Sequence, residues 1–288
     1  MTVRPSARPG VLYVVPTPIG NLADMVPRAL SVLQTADVIA AEDTRHSGKL
    51  MQHFQISTPM IAYHDFSSES RCEELLAKLE AGQTVALISD AGTPLISDPG
   101  YRLVAAARQA GVQVIPIPGA CAAIAALSAS GLPSDRFTFE GFPPAKSGAR
   151  KEFFAELQAD PRTLIFYESP HRIVASLTDM VEVFGAQRRL VMAREISKTF
   201  ETFLSGTTSS VLERVNEDLD QQKGEIVLLV EGFREPVNTD GPGAEAQRVM
   251  RLLLEAELPL KQAAGLAAAI TGDKKNRLYD WALRQRAE

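Results

Sequence analysis

The chain has 288 residues, of which 45% are hydrophobic and 23% charged, the composition of a folded globular protein rather than a disordered, collagen-like or coiled-coil one. Because single cores rarely grow beyond roughly 250 residues, this length predicts two core-bearing domains. The formal net charge of -5 excludes a protein that binds nucleic acid over its whole surface, so any such contact must be local.

The first part of the chain alternates short β-rich runs with helical patterns. Each run is followed by a polar or Gly/Pro turn and then by an amphipathic segment. This rhythm predicts a parallel sheet with helices on both faces, and ligands of such sheets bind at the carboxyl ends of the strands. The strands are predicted at residues 11–15, 38–41, 85–89 and 112–116, with a helix over 120–130.

The pattern changes after this helix. Five further strands are separated by only two convincing helices and one short one, which predicts a second domain with a mixed or antiparallel sheet. We therefore place an N-terminal α/β domain at residues 1–122 and a second α/β domain at 123–235. The strands of the second domain are predicted at 136–140, 163–167, 189–193, 202–205 and 225–230.

Residues 236–288 are predicted to form a linker and a C-terminal helical tail. The segment 235–244 holds two prolines and two glycines, a composition typical of linkers. Three helices follow, predicted over 245–257, 260–270 and 274–286. They resemble a helix-turn-helix, a shape that contacts nucleic acid in some proteins and is purely structural in others. The candidate RNA contacts of this basic tail are Lys274, Lys275 and Arg277.

Two short loops that follow predicted strands have compositions suited to a ligand. The first, PTPIGNLAD at residues 16–24, combines a glycine with a helix start that offers free N–H groups, although a tight turn capped by Asp24 is the alternative. It lacks the dinucleotide fingerprint G-x-G-x-x-G. The other, PIPGACAA at 116–123, places small residues where a helix packs against a flat ligand or against the sheet.

The loop SDAGTPLISDPGY at residues 89–101 is the most informative segment. It is too long and too polar for a simple connector after a buried strand. We expect Asp90 to bond a pair of ribose hydroxyls and the backbone of residues 92–94 to line the ligand. Asp98 is interpreted as the cap of a helix that begins at Pro99, since proline favours the first helical position.

With these loops the sequence resembles the tetrapyrrole-methylase superfamily and, within it, the branch of ribosomal RNA small subunit methyltransferase I. The resemblance covers essentially the whole chain. It implies the tetrapyrrole-methylase fold, with S-adenosyl-L-methionine in a cleft between two α/β domains, a homodimer, and 2'-O-methylation of a cytidine ribose in the decoding region of 16S rRNA. The motifs that carry it are VPTPIGNLADMVPRAL, AEDTRHSGKL, SDAGTPLISDPGY, FYESPHR, AREISKTFE and GEIVLLVEG.

The resemblance also implies the cofactor contacts, with two departures. Prolines at positions 16 and 18 replace the G-x-G-x-G-D loop of the corrinoid and porphyrin branch, which moves the expected substrate away from tetrapyrroles. Cys121 stands near the place where other members carry Ser or Thr, so we expect no hydroxyl contact to the cofactor carboxylate at this position. The implied contacts are Pro18, Ile19, Asp90, Gly92, Thr93, Pro94, Cys121, Ala122, Tyr167, Ala193 and Ile226.

Charged groups at strand ends are the candidates for catalysis. A ribose 2'-hydroxyl is a poor nucleophile, so it must be aligned with the methyl donor and helped to lose its proton. We assign Arg194 and Lys198 to hold phosphate or orient the ribose, and Asp43 or Glu168 to receive the proton. The alternative for Asp43 is a helix cap that pairs with Arg45.

A basic loop at residues 143–151 is the candidate RNA contact of the second domain. It carries Lys146, Arg150 and Lys151, no acidic residue, and a phenylalanine on either side. Cations that contact phosphate beside aromatic rings that stack on a base suit a structured RNA, although a solvated loop is the alternative. We expect 16S rRNA in the small ribosomal subunit as the partner, and no DNA.

Two cysteines without disulfide spacing favour the reducing cytoplasm, and the four histidines show no metal-ligand spacing. No apolar run approaches the roughly 20 residues of a membrane span, so we expect neither a membrane nor a metal. Two other functions stay open. One is a methyltransferase for a small tetrapyrrole or corrinoid precursor, and the other is a non-catalytic RNA- or nucleotide-binding factor on the same fold.

Overall fold

The computed structural model describes residues 10–64, 69–234 and 241–287. The chain divides into two compact units, Met1–Gly232 and Phe233–Glu288. Residues 235–240 of the predicted linker lie outside the described residues. The predicted domain boundaries stay a prediction.

The first unit begins with a five-stranded parallel sheet of order β3-β2-β4-β1-β5. This confirms the prediction of a parallel sheet, although strand β3 was not predicted, because three residues are too few to show a periodicity. The strands are β1 (Val11–Val14), β2 (Val38–Ala41), β3 (Met60–Ala62), β4 (Val85–Ile88) and β5 (Gln113–Pro116). The helices between them are α1 (Pro27–Thr35), α2 (Thr44–His53), α3 (Glu69–Glu80) and α4 (Tyr101–Gln109).

Helices cover both faces of this sheet, as predicted. Alternate residues of a strand point to opposite faces, so Ile39 packs with α1 and α2 whereas its neighbour Val38 packs with α3 and α4. The central strands β2 and β4 are buried along their whole length, which is typical of a parallel sheet covered on both sides. The helices leave the carboxyl ends of the strands uncovered, so the loops that follow the strands are accessible at that end of the sheet.

A second five-stranded sheet completes the first unit, in the order β6-β7-β10-β8-β9. Strands β6 and β7 are parallel and the other pairs are antiparallel, so the predicted mixed sheet is confirmed. The strands are β6 (Phe137–Gly141), β7 (Thr163–Glu168), β8 (Arg189–Arg194), β9 (Thr202–Thr207) and β10 (Ile226–Val230). The helices are α5 (Ala122–Ser130), α6 (Ser147–Leu157), α7 (Ile173–Phe184) and α8 (Thr208–Glu217).

Helix α5 follows the last strand of the first sheet but packs on the second sheet. Its buried alanines, Ala123 and Ala126, contact one face of strands β7, β8 and β10, while α6, α7 and α8 cover the other face. Small side chains let this helix approach the sheet closely. The loop before α5 therefore lies beside strand ends of both sheets.

The second unit consists of three helices among its described residues. They are α9 (Ala244–Glu255), α10 (Leu260–Thr271) and α11 (Lys275–Ala287), close to the predicted bounds. Their core is built largely from alanine, with Met250 and Leu278 as its larger buried members. In the part of the chain that the structure describes, no helix has the length and apolarity needed to cross a membrane.

Candidate functional site

The loops after strands β1 and β4 are joined to each other. The backbone of Thr17 exchanges two hydrogen bonds with that of Gly92, at 2.9 and 3.0 Å, and the Thr17 hydroxyl donates to the carbonyl of Ser89 at 3.1 Å. Thr17 is almost completely buried, so these bonds satisfy polar groups that water does not reach. They fix two of the predicted ligand loops as one rigid unit.

The loop after β4 has an unusual backbone. Leu95 and Ser97 adopt φ values of 76° and 62°, a left-handed conformation that costs non-glycine residues energy and clusters at functional sites. Helix α4 begins at Tyr101 with Gly100 as its cap, not at Pro99. The interpretation of Asp98 as the cap of that helix is therefore wrong, and Asp98 instead lines a cavity.

This first cavity has a volume of about 340 Å³ and lies between the strand ends of the two sheets. Its size falls within the usual range of small-molecule sites. The wall is mainly apolar, with polar groups supplied by the loops after β4 and β7. The lining residues are Ile19, Ala91, Gly92, Thr93, Ile96, Ser97, Asp98, Cys121, Ala122, Phe142, Tyr167, Glu168, Ser169, Pro170, Ile196, Gly224, Glu225, Ile226 and Val227.

Two aromatic rings form one side of the first cavity. The rings of Phe142 and Tyr167 meet edge to face with centroids 5.7 Å apart. The Tyr167 hydroxyl accepts a hydrogen bond from the backbone N–H of Ala123 at 3.2 Å. Burial, with a smaller contribution from Cys121, raises the pKa of Tyr167 to about 12, so this residue is a neutral phenol at physiological pH.

The first cavity is mainly apolar, and most of its acidic groups are paired. Its lining holds three carboxylates, Asp98, Glu168 and Glu225, and no cationic side chain among the described residues. Glu168 forms an ion pair with Arg172, and Glu225 forms one with Lys198. An apolar wall with aromatic rings is complementary to a flat aromatic ligand, and the face of an aromatic ring also attracts a positive charge.

A second cavity of about 350 Å³ adjoins the first. The two cavities share the wall residues Ile19, Ala91 and Glu225. In contrast to the first, the second cavity is lined by several basic side chains. Its lining residues are Pro18, Ile19, Gly20, Leu22, His46, Ser47, Lys49, Leu50, His53, Asp90, Ala91, Lys198 and Glu225.

The predicted cofactor residues are divided between these cavities. Pro18 and Asp90 line the second cavity rather than the first. Pro94 and Ala193 are buried and line neither, and Ala193 packs in the core beneath the second sheet. The predicted residues that do line the first cavity are Ile19, Gly92, Thr93, Cys121, Ala122, Tyr167 and Ile226.

Sequence reasoning did not assign several residues that line the first cavity. Asp98 and Ser97 belong to the same loop as Gly92 and Thr93, and Ser169 and Pro170 directly follow Glu168. Each lies inside a motif already quoted for the family resemblance. The motif as a whole, rather than its most reactive residue, was the signal that would have included them.

Asp43 caps helix α2 and pairs with Arg45. Its carboxylate accepts the backbone N–H of Arg45 at 2.8 Å and forms an ion pair with the guanidinium at 3.0 Å. The side-chain hydrogen bond from Arg45 lowers the pKa of Asp43 to about 2. A carboxylate with so low a pKa is a weak proton acceptor at neutral pH, so the capping alternative describes Asp43 better than the catalytic one.

Glu168 and Arg194 are buried and bonded to protein groups. Both oxygens of Glu168, which is 2% exposed, are occupied, one by the guanidinium of Arg172 at 2.6 Å and the other by the hydroxyl of Ser176. The Arg194 guanidinium, 7% exposed as a residue, donates to the hydroxyl of Thr202 and to two backbone carbonyls. These contacts make both residues positioning groups rather than groups free to take a proton or a phosphate.

Lys198 lies in the wall of the second cavity but its charge is already compensated. Its ammonium group is 2.8 Å from a carboxylate oxygen of Glu195 and 3.2 Å from one of Glu225. Burial lowers the pKa of Lys198, but the hydrogen bonds that its ammonium donates to both carboxylates outweigh burial, so the pKa is raised. The aliphatic part of this side chain lies over Gly20, where a Cβ would meet the Lys198 Cγ at 2.3 Å.

The predicted basic loop of the second domain is largely neutralised. Arg150 is 2% exposed and its guanidinium pairs with Asp179 at 2.6 Å, so its side chain is not accessible to an RNA and the prediction of an RNA contact is not supported. Lys151 pairs with Glu182 at 2.6 Å, and this hydrogen bond raises its pKa. Only Lys146 of the three is exposed without an ion pair among the described residues.

The predicted RNA contacts of the tail also differ in exposure and in ion pairing. Lys274 and Lys275 are exposed. Arg277 is partly buried, and its guanidinium is 3.9 Å from Asp273. The stem of Lys275 packs close to Gly265 of helix α10.

Two solved structures that share this fold are named as methyltransferases. CobJ has a TM-score of 0.57 at 16% identity, over 77% of this chain and 94% of its own. The uroporphyrin-III C-methyl transferase from Thermus thermophilus, complexed with S-adenyl homocysteine, has a TM-score of 0.52 at 17% identity, over 77% of this chain and 97% of its own. The fold is thus that of the tetrapyrrole methylases.

The family comparison is more specific. The model of Tetrapyrrole (Corrin/Porphyrin) Methylases matches residues 11–212, and that of the RsmI C-terminal HTH domain matches residues 240–286. Ribosomal RNA small subunit methyltransferase I of Escherichia coli O157:H7 is 57% identical over 96% of both chains, and that of Pseudomonas aeruginosa is 56% identical over 97% of this chain and 99% of its own. The chain belongs to the ribosomal RNA small subunit methyltransferase I family, which confirms the resemblance seen in the motifs.

Proposed function

We propose that the protein transfers a methyl group from S-adenosyl-L-methionine to the 2'-hydroxyl of a cytidine ribose in the decoding region of 16S rRNA. The names of the relatives support rRNA of the small subunit as the substrate. The observation that carries the proposal is the pair of adjoining cavities, one mainly apolar with two aromatic rings, the other lined by several basic side chains, with a shared wall. A group transfer needs two ligands held side by side in this manner.

The first cavity is the proposed cofactor site. S-adenosyl-L-methionine, when bound, supplies a methyl group activated by its sulfonium. The apolar side chains and the two rings of the wall bury the ligand, while Asp98 and the Thr93 region supply polar contacts. Gly92 keeps the wall open, because its φ of 86° and the nearby Ile19 disfavour any larger residue. The tetrapyrrole methylase that was solved with S-adenyl homocysteine adds support through the shared fold.

The acceptor ribose is proposed to enter from the second cavity. Asp90 lines that cavity and lies in sequence directly before Ala91, a residue of the shared wall. One oxygen of its carboxylate accepts the backbone N–H of Asp43 at 3.3 Å, which orients the group. Asp90 is therefore the proposed proton acceptor. Glu168, in the lining of the first cavity, and Arg194, at the end of strand β8, are proposed as positioning residues.

Contacts to the RNA outside the cavities are proposed for exposed lysines. Lys146 lies just before helix α6, and Lys274 and Lys275 lie at the start of helix α11. Their ammonium groups are suited to backbone phosphates, which position an RNA without reading its sequence. We further propose a homodimer that acts in the cytoplasm on the small ribosomal subunit.

The test is transfer of radiolabelled methyl from S-adenosyl-L-methionine to small ribosomal subunits from cells that lack the corresponding gene. The labelled nucleotide is then mapped by mass spectrometry. Label on the 2'-oxygen of one cytidine is the expected result. Label on a tetrapyrrole precursor instead would favour the small-molecule alternative, and cofactor binding without any transfer would favour a non-catalytic factor.

A further inference from the structure

The basic face of helix α2 is an unexplained feature of the second cavity. His46, Lys49 and His53 are spaced by three and four residues, which places them on one face of the helix, and all three are exposed and line the cavity. Lys49 forms no ion pair with any residue that the structure describes. An unpaired cation beside a cavity is available to an anionic ligand, in contrast to Lys198 with its two carboxylates.

A buried hydroxyl in the same wall also lacks a partner. The Ser47 side chain is 2% exposed, and its Oγ forms no hydrogen bond with any described residue. Buried hydroxyls are normally bonded, because loss of water without a replacement costs about 1–3 kcal/mol. Ser47 follows His46 on the helix and contributes to the second cavity, so its free bonding capacity lies where a ligand would meet α2.

We propose that the second cavity binds the sugar-phosphate backbone of the acceptor nucleotide, with Lys49 on a phosphate and Ser47 as a hydrogen-bond partner. The inference rests on the proposed function and deepens it, because it names which part of the RNA occupies this cavity. A phosphodiester is anionic and needs donors, and the wall of the cavity that α2 forms offers an ammonium and two imidazoles on its exposed face and, beside that face, the buried hydroxyl of Ser47. The shared wall then holds the bound ribose next to the first cavity.

The inference is tested on the full-length protein with small ribosomal subunits as substrate. We compare Lys49→Gln with Lys49→Arg, which keeps the charge, and with Lys78→Gln on helix α3, whose lysine pairs loosely with Glu74 at 4.0 Å. Lys49→Gln is expected to raise KM for subunits roughly threefold to tenfold and to lower the salt slope of binding by about 1. Lys49→Arg, which keeps the charge, is expected to raise KM less than Lys49→Gln, and Lys78→Gln is expected to stay near wild type. Cofactor affinity is expected to be unchanged in all three.

Ser47→Ala provides an independent readout. Because the hydroxyl has no protein partner, its removal is expected to leave the free energy of unfolding unchanged or slightly higher, while KM for subunits rises. A wild-type enzyme that methylates subunits, together with Lys49→Gln and Ser47→Ala variants of unchanged KM and salt slope, overturns the inference and leaves the proposed function intact. Weakened cofactor binding in Lys49→Gln would also overturn it, whereas a wild-type enzyme that methylates no subunit rejects both.

Discussion

The hydroxyl of Tyr167 caps helix α5 by accepting the backbone N–H of Ala123 at 3.2 Å. The residue at the normal capping position is Cys121, whose side chain makes no capping hydrogen bond. Tyr167 comes from strand β7 of the second sheet, whereas α5 follows the last strand of the first. This hydrogen bond therefore attaches the start of α5 to the second sheet, on which the helix packs, at the wall of the proposed cofactor cavity.

Loss of the hydrogen bond between Tyr167 and Ala123 is expected to lower the free energy of unfolding, and a second substitution is expected to restore part of it. Tyr167→Phe should lower the free energy of unfolding by about 1 kcal/mol, since an N–H at the helix start loses its acceptor. Cys121→Ser in the Tyr167→Phe background should recover part of that loss, because serine at this position accepts the same class of N–H. Urea denaturation of the two single variants and the double variant measures this. A double variant that is simply the sum of two losses would contradict the capping role.

The raised pKa of Tyr167 predicts that the stability of the wild-type protein and of Tyr167→Phe depends differently on alkaline pH. The folded value of about 12 lies above the ordinary value of 10. Below pH 10 the phenol is protonated in both the folded and the unfolded chain; above it the unfolded chain releases this proton first, so stability falls as pH rises towards 12. The free energy of unfolding should therefore fall less steeply from pH 9.5 to about 11.5 in Tyr167→Phe than in wild type. Parallel curves would show that burial does not hold the phenol neutral.

The strand ends and ligand loops of the first sheet were predictable because their signals are local. A buried β-rich run followed by Gly, Pro and Asp needs no knowledge of the rest of the chain, and the loop at residues 89–101 was recognised in this way. The second cavity was not predicted. His46, Lys49 and His53 have the spacing of a solvated helix face, and only the fold brings that face to Asp90 and Lys198.

Ion pairs and hydrogen bonds that form only on folding explain the predicted roles that the structure does not support. Arg150 was assigned to RNA because its neighbours are basic, but its partner Asp179 lies on helix α7, 29 residues away. Glu168 likewise meets Ser176 one helix turn into α7, where the hydroxyl occupies the oxygen that a proton would need. Charge runs in a sequence do not reveal which charges are paired on folding.

The observed position of the Lys198 side chain is expected to require glycine at position 20. A methyl group at position 20 would lie 2.3 Å from the Lys198 Cγ, and the φ of 150° is strained for any residue with a side chain. Gly20→Ala should therefore displace the lysine from Glu195 and Glu225 and destabilise the fold by about 1–3 kcal/mol. The part of that cost that comes from the contact with Lys198 should disappear in a Lys198→Ala background, whereas the backbone strain should remain; a double-mutant cycle in urea separates the two. An equal cost in both backgrounds would assign the effect to backbone strain alone.

Substitutions of Arg150 and Lys146 are expected to affect different properties of the protein, although both residues were predicted to bind RNA. Arg150→Met removes the closest ion-pair partner of the buried Asp179, which keeps only the Ser147 hydroxyl at 3.0 Å and the Lys151 ammonium at 3.9 Å, and should cost about 3 kcal/mol of stability. Lys146→Gln, on an exposed side chain, should change stability by less than about 0.5 kcal/mol and should raise KM for small subunits. Thermal unfolding and methyl-transfer kinetics separate the two effects. Unchanged stability in Arg150→Met with a raised KM would restore Arg150 as an RNA contact.

Asp90 is expected to act on turnover rather than on cofactor binding. It lines the second cavity, so Asp90→Asn, which keeps the size of the side chain but not its basicity, should lower kcat about 100-fold or more. The dissociation constant of S-adenosyl-L-methionine, measured by calorimetry, should change little. Asp220→Asn, at an exposed carboxylate paired with Lys223, is the matched control and should keep wild-type kcat. A large loss of cofactor affinity in Asp90→Asn with kcat retained would instead place Asp90 on the ribose of the cofactor. A contact there would bind S-adenosyl-L-methionine but would take no part in removing the proton of the 2'-hydroxyl.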